Sequence, residues 1–213
     1  MMSLIQSFSG LPFNRTQTLR EIAASATGKY ILLYTGTHQL EMGMFACERI
    51  AGIADDTDAD MLYADHYRLV TDAEGKPVRK RHPLIDCQKG ALRNDFDFGT
   101  VQVFRADSFR KAVAEMDVDY EFAALYDLRL RMNRIVHVNE YLYTEIETDN
   151  RKSGEKIFDY VDPKNRAVQI EMEQVCTQHL KDVGGYLAPN FKEISFDDNS
   201  FEYEASVVIP CKN

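Results

Sequence analysis

The feature that most constrains this chain is the unbroken apolar run Tyr30-Ile31-Leu32-Leu33-Tyr34, set between Gly28-Lys29 and Thr35-Gly36. A strand with one wet face alternates apolar and polar residues, whereas a run apolar at every position belongs to a strand covered on both faces. Such a strand needs layers above and below it, and amphipathic helices supply them. The flanking segments fit. Leu19, Ile22, Ala23 and Ala26 share one face of a helix over 18–26, with Thr18 and Glu21 at capping-box spacing and Gly28 placed to end it in the left-handed conformation. Residues 38–54 read as a second helix with Leu40, Met44, Cys47 and Ala51 on one face.

Gly and Pro punctuation orders the rest. Residues 3–8 read as a short strand, followed by a turn at Gly10 and Pro12. Residues 59–71 read as a strand, turning at Asp72–Gly75 into a weaker one, and 80–98 as a looser segment. Residues 100–106 form a strand, Ser108 caps a short helix, 119–132 form another helix, and 135–145 close the set as a strand. This order implies an α/β fold with a mostly parallel mixed sheet flanked by helices. Thr148 opens a polar stretch. Beyond it, Asp162-Pro163 and Gly184-Gly185 bracket a helix carrying Val168, Met172, Val175 and Leu180 on one stripe. This C-terminal helical appendage should lie on the surface of the main domain. The chain ends in Ser206-Val-Val-Ile-Pro-Cys-Lys-Asn213, which has the look of an opening strand without its helix. We expect the polypeptide to continue past Asn213.

Composition excludes several functions. The net charge of -9 argues against nucleic acid, whose phosphates call for surplus Lys and Arg. No apolar run approaches the roughly 20 residues of a membrane-spanning helix. Cys47, Cys87, Cys176 and Cys211 lack CxxC spacing and read as reduced thiols of a cytoplasmic protein. The basic run Lys76, Arg79, Lys80, Arg81, His82 reads as a solvated loop, the acids Asp55, Asp56, Asp58 and Asp60 as a solvated turn, and His137 and His179 as structural or surface groups.

In order along the chain, several segments resemble family 2 glycosyltransferases. Leu19–Leu40 resembles the family's helix and third strand leading into its DxD motif. Ala59–Tyr67 resembles the next strand, Phe98–Ala112 the acceptor-side strand and helix, Ala123–Arg131 the segment AEDYDLWLR, and Ile135–Glu145 the closing strand; Ser206–Asn213 resembles the family's opening strand. The resemblance implies a GT-A-like, nucleotide-diphospho-sugar-transferase type of fold, incomplete at its start. It divides the chain into a glycosyltransferase-like domain over 3–147, a helical connector over 148–205, and the start of a second such domain at 206–213. It implies transfer of a sugar from a nucleotide-sugar donor to a glycan or polysaccharide acceptor by the whole protein, beside a neighbouring glycosyltransferase domain in the same chain.

The departures from the family pattern are specific. The metal-binding aspartates fall on Thr35 and Thr37, so the slot has no carboxylate for a divalent metal. The acidic pair that includes the general base falls on Ala124 and Leu125, which cannot take a proton. No catalytic residue is identified from the sequence, and no cofactor is expected for this chain, with Mn or Mg reserved for the whole protein. Candidate substrate-binding residues are Asp65 and His66, at the end of a buried-looking strand, and Tyr126 and Asp127 in the YDL segment. Three readings remain: an active transferase, an inactive scaffold or glycan-recognition domain, and an unrelated α/β protein.

Overall fold

A computed structural model describes residues 4–146 and 166–193. Seven strands form one mixed sheet. They are β1 (Ile5–Ser9), β2 (Tyr30–Tyr34), β3 (Gln39–Met42), β4 (Met61–Thr71), β5 (Pro77–His82), β6 (Val101–Arg105) and β7 (Ile135–Ile146). The helices among the described residues are α1 (Thr16–Ser25), α2 (Ala46–Thr57), α3 (Ala106–Ala114), α4 (Ala124–Leu130) and α5 (Arg166–Asp182). The strand order is β1-β2-β6-β4-β7-β3, with β5 hairpinned onto β4.

The α/β class and the helix-flanked mixed sheet are as expected, but the sheet is not mostly parallel. β1 with β2 and β4 with β7 pair in parallel, while β2–β6, β4–β6, β4–β5 and β3–β7 are antiparallel. The cause is β6, which inserts between β2 and β4 and runs against both.

β2 is buried at every position, and its alternation splits the core in two. Ile31 and Leu33 join Met61, Tyr63 and Phe104 under α1, α3, α4 and α5. Tyr30, Leu32 and Tyr34 join Leu62, Ala64 and Val103 under α2. We call these the four-helix face and the one-helix face.

Local differences have identifiable causes. The helix expected over 38–54 is a strand and a shorter helix: residues 39–42 pair with β7, and Phe45 takes φ 58° before α2 begins. α1 starts at Thr16, so Thr18 lies inside the helix and no capping box forms. Thr16 Oγ1 instead donates to the Val118 carbonyl and accepts the Tyr120 N–H. Gly28 does not have positive φ. A side chain there would meet Gln6 N and Tyr30 O at 3.1 Å, so the glycine serves the close approach of β1 and β2. Ser108 is no cap: α3 begins at Ala106, and the Ser108 hydroxyl bonds Asp60. The helix expected over 119–132 is shortened to α4, because Glu121, Phe122 and Ala123 give their N–H groups to Glu171. The basic run lies on a strand, β5, where Arg79 stacks 3.9 Å over the Tyr67 ring and bonds Thr144.

α5 packs on α4, with Val175 buried and Val168, Met172 and Leu180 partly so. It ends as read, at Gly184 with φ 73° and a Gly185 N–H to Leu180 O bond. Its expected start at Asp162-Pro163 and the segment 206–213 lie outside the described residues. Cys47, Cys87 and Cys176 are free thiols, and no described helix is long and apolar enough to cross a membrane.

Candidate functional site

The carboxyl ends of β1 and β2 open into a cleft of about 600 Å³ on the one-helix face. Leu32, Tyr34, Leu40 and Met42 supply apolar walls, and Ser7, Ser9, Thr37 and His38 bring polar atoms. An apolar hollow with a few convergent polar groups at the ends of parallel strands is the usual form of a small-ligand site in α/β folds.

Gly36 and Thr37 line this cleft, and Thr35 lies just before them. Thr35 turns inward, its N–H bonding the Thr100 carbonyl at 2.8 Å and its hydroxyl the same oxygen at 3.3 Å. Thr37 is exposed. A side chain at Gly36 would collide with Glu145 Oε1 and the Tyr34 hydroxyl, both 2.5 Å from the position it would take. Glu145 is 3% exposed. Its described partner is the Tyr34 hydroxyl, at 3.1 Å, which also donates to His38 O at 2.6 Å. One hydroxyl hydrogen cannot serve both acceptors fully, so this buried carboxylate is weakly held. Burial, with the neighbouring charge of Glu145, pushes the Tyr34 hydroxyl above its ordinary pKa.

A divalent metal does not fit here. It needs several hard oxygen donors, preferably carboxylates, and the slot offers neutral threonines behind a single glutamate. Among the described residues no group of three or more His, Cys, Asp or Glu side chains is arranged to hold one.

The other candidate residues do not gather at the cleft. Asp65 is 1% exposed and faces the four-helix side, where it accepts the Leu84 N–H at 2.8 Å and lies 2.8 Å from His137 Nε2. His137 reaches Asp86 with its other nitrogen at 2.8 Å and stacks on Tyr63. The Tyr63 hydroxyl donates to Ile85 O and accepts the Cys87 N–H, and Tyr126 donates to Leu92 O. Asp65, His137, Tyr63 and Tyr126 thus stitch residues 84–92 to the domain.

His66 points to the opposite face. It stacks on Tyr143 at 4.7 Å and lies 4.5 Å from the His82 ring. It is 1% exposed and neither ring nitrogen has a hydrogen-bond partner. Burial above all, then the neighbouring His82 and Arg68, lower its pKa to about 4, against the opposing pull of Asp97 and Asp65. Asp127 bonds Arg131 one turn on at 2.9 Å, and burial raises its pKa despite that pairing.

Ala124 and Leu125, aligned with the family's acidic pair, are core residues with 0% and 5% exposure. The carboxylate beside them comes from α5: Glu171 accepts N–H groups from Glu121, Phe122 and Ala123 at 3.2, 2.7 and 3.1 Å. Sequence reasoning missed Glu145 and Glu171. A glutamate on a β-strand or on a helix carries no local sign of being buried against a glycine or across another helix's start.

No family model matches this chain, and no curated protein does. Among solved structures it is similar to two of S. aureus TarS residues 1–349. One is 12% identical with a TM-score of 0.36, over 60% of this chain and 38% of that one. The other, in complex with UDP, is 11% identical with a TM-score of 0.40, over 78% and 50%. The chain spans half or less of the length of these structures. At such scores the likeness transfers neither residues nor activity.

Proposed function

We propose that this chain is a glycosyltransferase-like domain of a protein that moves a sugar from a nucleotide-sugar donor to a glycan or polysaccharide acceptor, and that the domain itself recognises or scaffolds rather than catalyses. The ordered resemblance of residues 3–147 to family 2 supports the first half. The observation that carries the second is the chemistry of the two aligned slots. At one, Thr35 is engaged with the Thr100 carbonyl. At the other, Ala124 and Leu125 are packed into the core, and the adjacent carboxylate of Glu171 is occupied by three amides. A general base must reach the proton it removes, and neither slot presents one.

The cleft is of a size that takes a small ligand. Tyr34 and the apolar walls suit a sugar ring's carbon face, and Ser7, Ser9 and Thr37 suit its hydroxyls. On this reading residues 148–205 connect the domain to a second one beginning near 206, and Mn or Mg belongs to that partner domain.

Calorimetry with UDP-sugars, with and without manganese, tests the reading. The expected result is no micromolar complex and no manganese dependence. Oligosaccharides should instead perturb the amide resonances of residues 34–38 at millimolar concentration. A micromolar, manganese-dependent UDP-sugar complex would overturn the recognition reading in favour of an active transferase. Loss of both responses would remove the cleft from the account.

A further inference from the structure

A second cavity lies away from the cleft. The 87–92 loop, the end of α4 with the turn into β7, and the last turns of α5 enclose about 380 Å³. Its ionisable lining is basic apart from the Cys87 thiol: Lys89, Arg129, Arg134 and His179, with no Asp or Glu. The chain has 34 acidic residues against 25 basic ones, so an acid-free hollow runs against its overall charge.

Arg129 is the decisive member. Its Nε donates to Gln102 Oε1 at 3.0 Å, and its guanidinium lies 4.9 Å from the Phe98 ring centre. A guanidinium has five N–H donors, and among the described residues no other acceptor and no carboxylate pairs with this one. Asp97 acts on it electrostatically but is already held by His82 and the Gly99 N–H. Burial lowers the Arg129 pKa to about 10 against the opposing charge of Asp97, while the residue keeps part of its surface open to the cavity. Such a group is costly unless something pairs with it. The Lys89 and Arg134 side chains are likewise without a hydrogen-bond partner among the described residues. The cavity is roomier than a bare inorganic anion needs, and Leu92 and Met132 line the remainder.

We propose that this cavity binds the oxyanion head of a small organic ligand, a phosphoryl or carboxylate group, with Arg129 as the fork at its base and Leu92 and Met132 against the carbon body. Arg fits this task because its planar donors match both oxyanions two at a time. Lys89 and Arg134 add charge from the rim, and His179 brings α5 into the site. The proposal is independent of the glycosyltransferase reading, since no residue of the cleft takes part.

The test is an NMR titration of the full chain with phenyl phosphate, benzoate and, as the neutral control, benzyl alcohol. At least one anion should shift the amides of residues 87–92 and 131–135 saturably, the alcohol should not, and the preferred anion distinguishes a phosphoryl from a carboxylate ligand. Arg129→Gln should weaken binding about tenfold or more, the loss expected for a charge-assisted hydrogen bond. Because that change also disturbs the Gln102 contact, the rim variant Arg134→Gln serves as a second probe, expected to fold normally and bind roughly threefold more weakly with a flatter salt dependence. The proposal fails if neither anion shifts these amides, if benzyl alcohol binds equally well, or if both variants bind as the parent does.

Discussion

The two faces of the sheet solve the same packing problem with different rules. On the four-helix face the polar groups beside residues 84–87 are matched, with Arg129 at the α4–α5 cavity the exception: Asp65 accepts the Leu84 N–H and faces His137, and Tyr63 donates once and accepts once. On the one-helix face His66 has no hydrogen-bond partner, and Glu145 shares one hydroxyl with a backbone carbonyl. Buried polar atoms are nearly always paired, and the exceptions cluster where a fold keeps strain or function. The first face therefore holds the fold together away from the Arg129 cavity, and the second keeps its unpaired groups beside the cleft.

That division predicts its largest effect on the four-helix side. Phe104 is fully buried and packs edge-on against Phe109 at 5.6 Å between ring centres. Phe104→Ala should cost about 3–5 kcal/mol, the usual range for deleting a core aromatic. Urea unfolding measures it. A loss below about 1 kcal/mol would mean that this face is not the one that holds the fold together.

The second effect sharpens the contrast, because it belongs to the unpaired side. The folded pKa of His66 is about 4, below its ordinary 6.5. The neutral ring is favoured by folding, so its contribution is complete above pH 6.5, falls as the pH drops below 6.5, and is lost by about pH 4. The displacement corresponds to about 3 kcal/mol. Carboxylates titrate in the same window, so the quantity to measure is the difference in unfolding free energy between the parent and His66→Phe as a function of pH. That difference should change steadily from pH 6.5 to 4. A flat difference would show that the imidazole finds a partner in solution.

What could be read from the sequence follows the same line. The apolar run 30–34, the 59–71 strand and the α5 stripe were legible because burial on a regular element leaves a trace, unbroken where both faces of a strand are covered and periodic where one face is wet. Leu40 was assigned to a helix face with Met44, Cys47 and Ala51 because four residues of edge strand are too few for their alternation to outweigh that helical spacing; only the pairing with β7 decides. Thr18 had capping-box spacing, but the packing of Thr16 against Val118 and Tyr120 set the helix start two residues earlier. Of the candidate site residues, Asp65 and His66 were recognisable as a polar pair on a buried strand. That they face opposite ways follows from the strand's alternation, whereas the groups opposite them come from β5, β7 and the 84–92 loop, contacts that no local pattern encodes. Arg129 stood unremarked within a segment whose helical pattern was plain, since lack of a carboxylate partner is a property of the fold.

The third effect concerns α5, which the four-helix face needs only in part. Val175 is 1% exposed against the core, while Met172 and Val168 keep some exposure. Val175→Ala should cost about 2 kcal/mol, Met172→Ala about 1 and Val168→Ala less, a gradient set by how much apolar surface each removes from water. Equal losses at all three would mean that α5 is buried along its whole stripe.

The smallest effect tests how α5 is fastened. Glu171 collects three backbone N–H groups just ahead of α4, at the place where the resemblance expects an acidic pair. A carboxylate there has two tasks. It satisfies amides at a helix start that otherwise have no partner, and it places negative charge at the positive end of α4. Glu171→Gln keeps one acceptor oxygen and nearly the same shape but removes the charge, so the loss should be about 1 kcal/mol. Amide exchange of Glu121, Phe122 and Ala123 should quicken accordingly while Phe104 and its neighbours on the central strands remain protected. If the exchange of these three amides does not change, they are held by something other than Glu171. If the central strands lose protection with them, the start of α4 and the four-helix core are one cooperative unit, and the fastening of α5 is part of the stable face rather than an attachment to it.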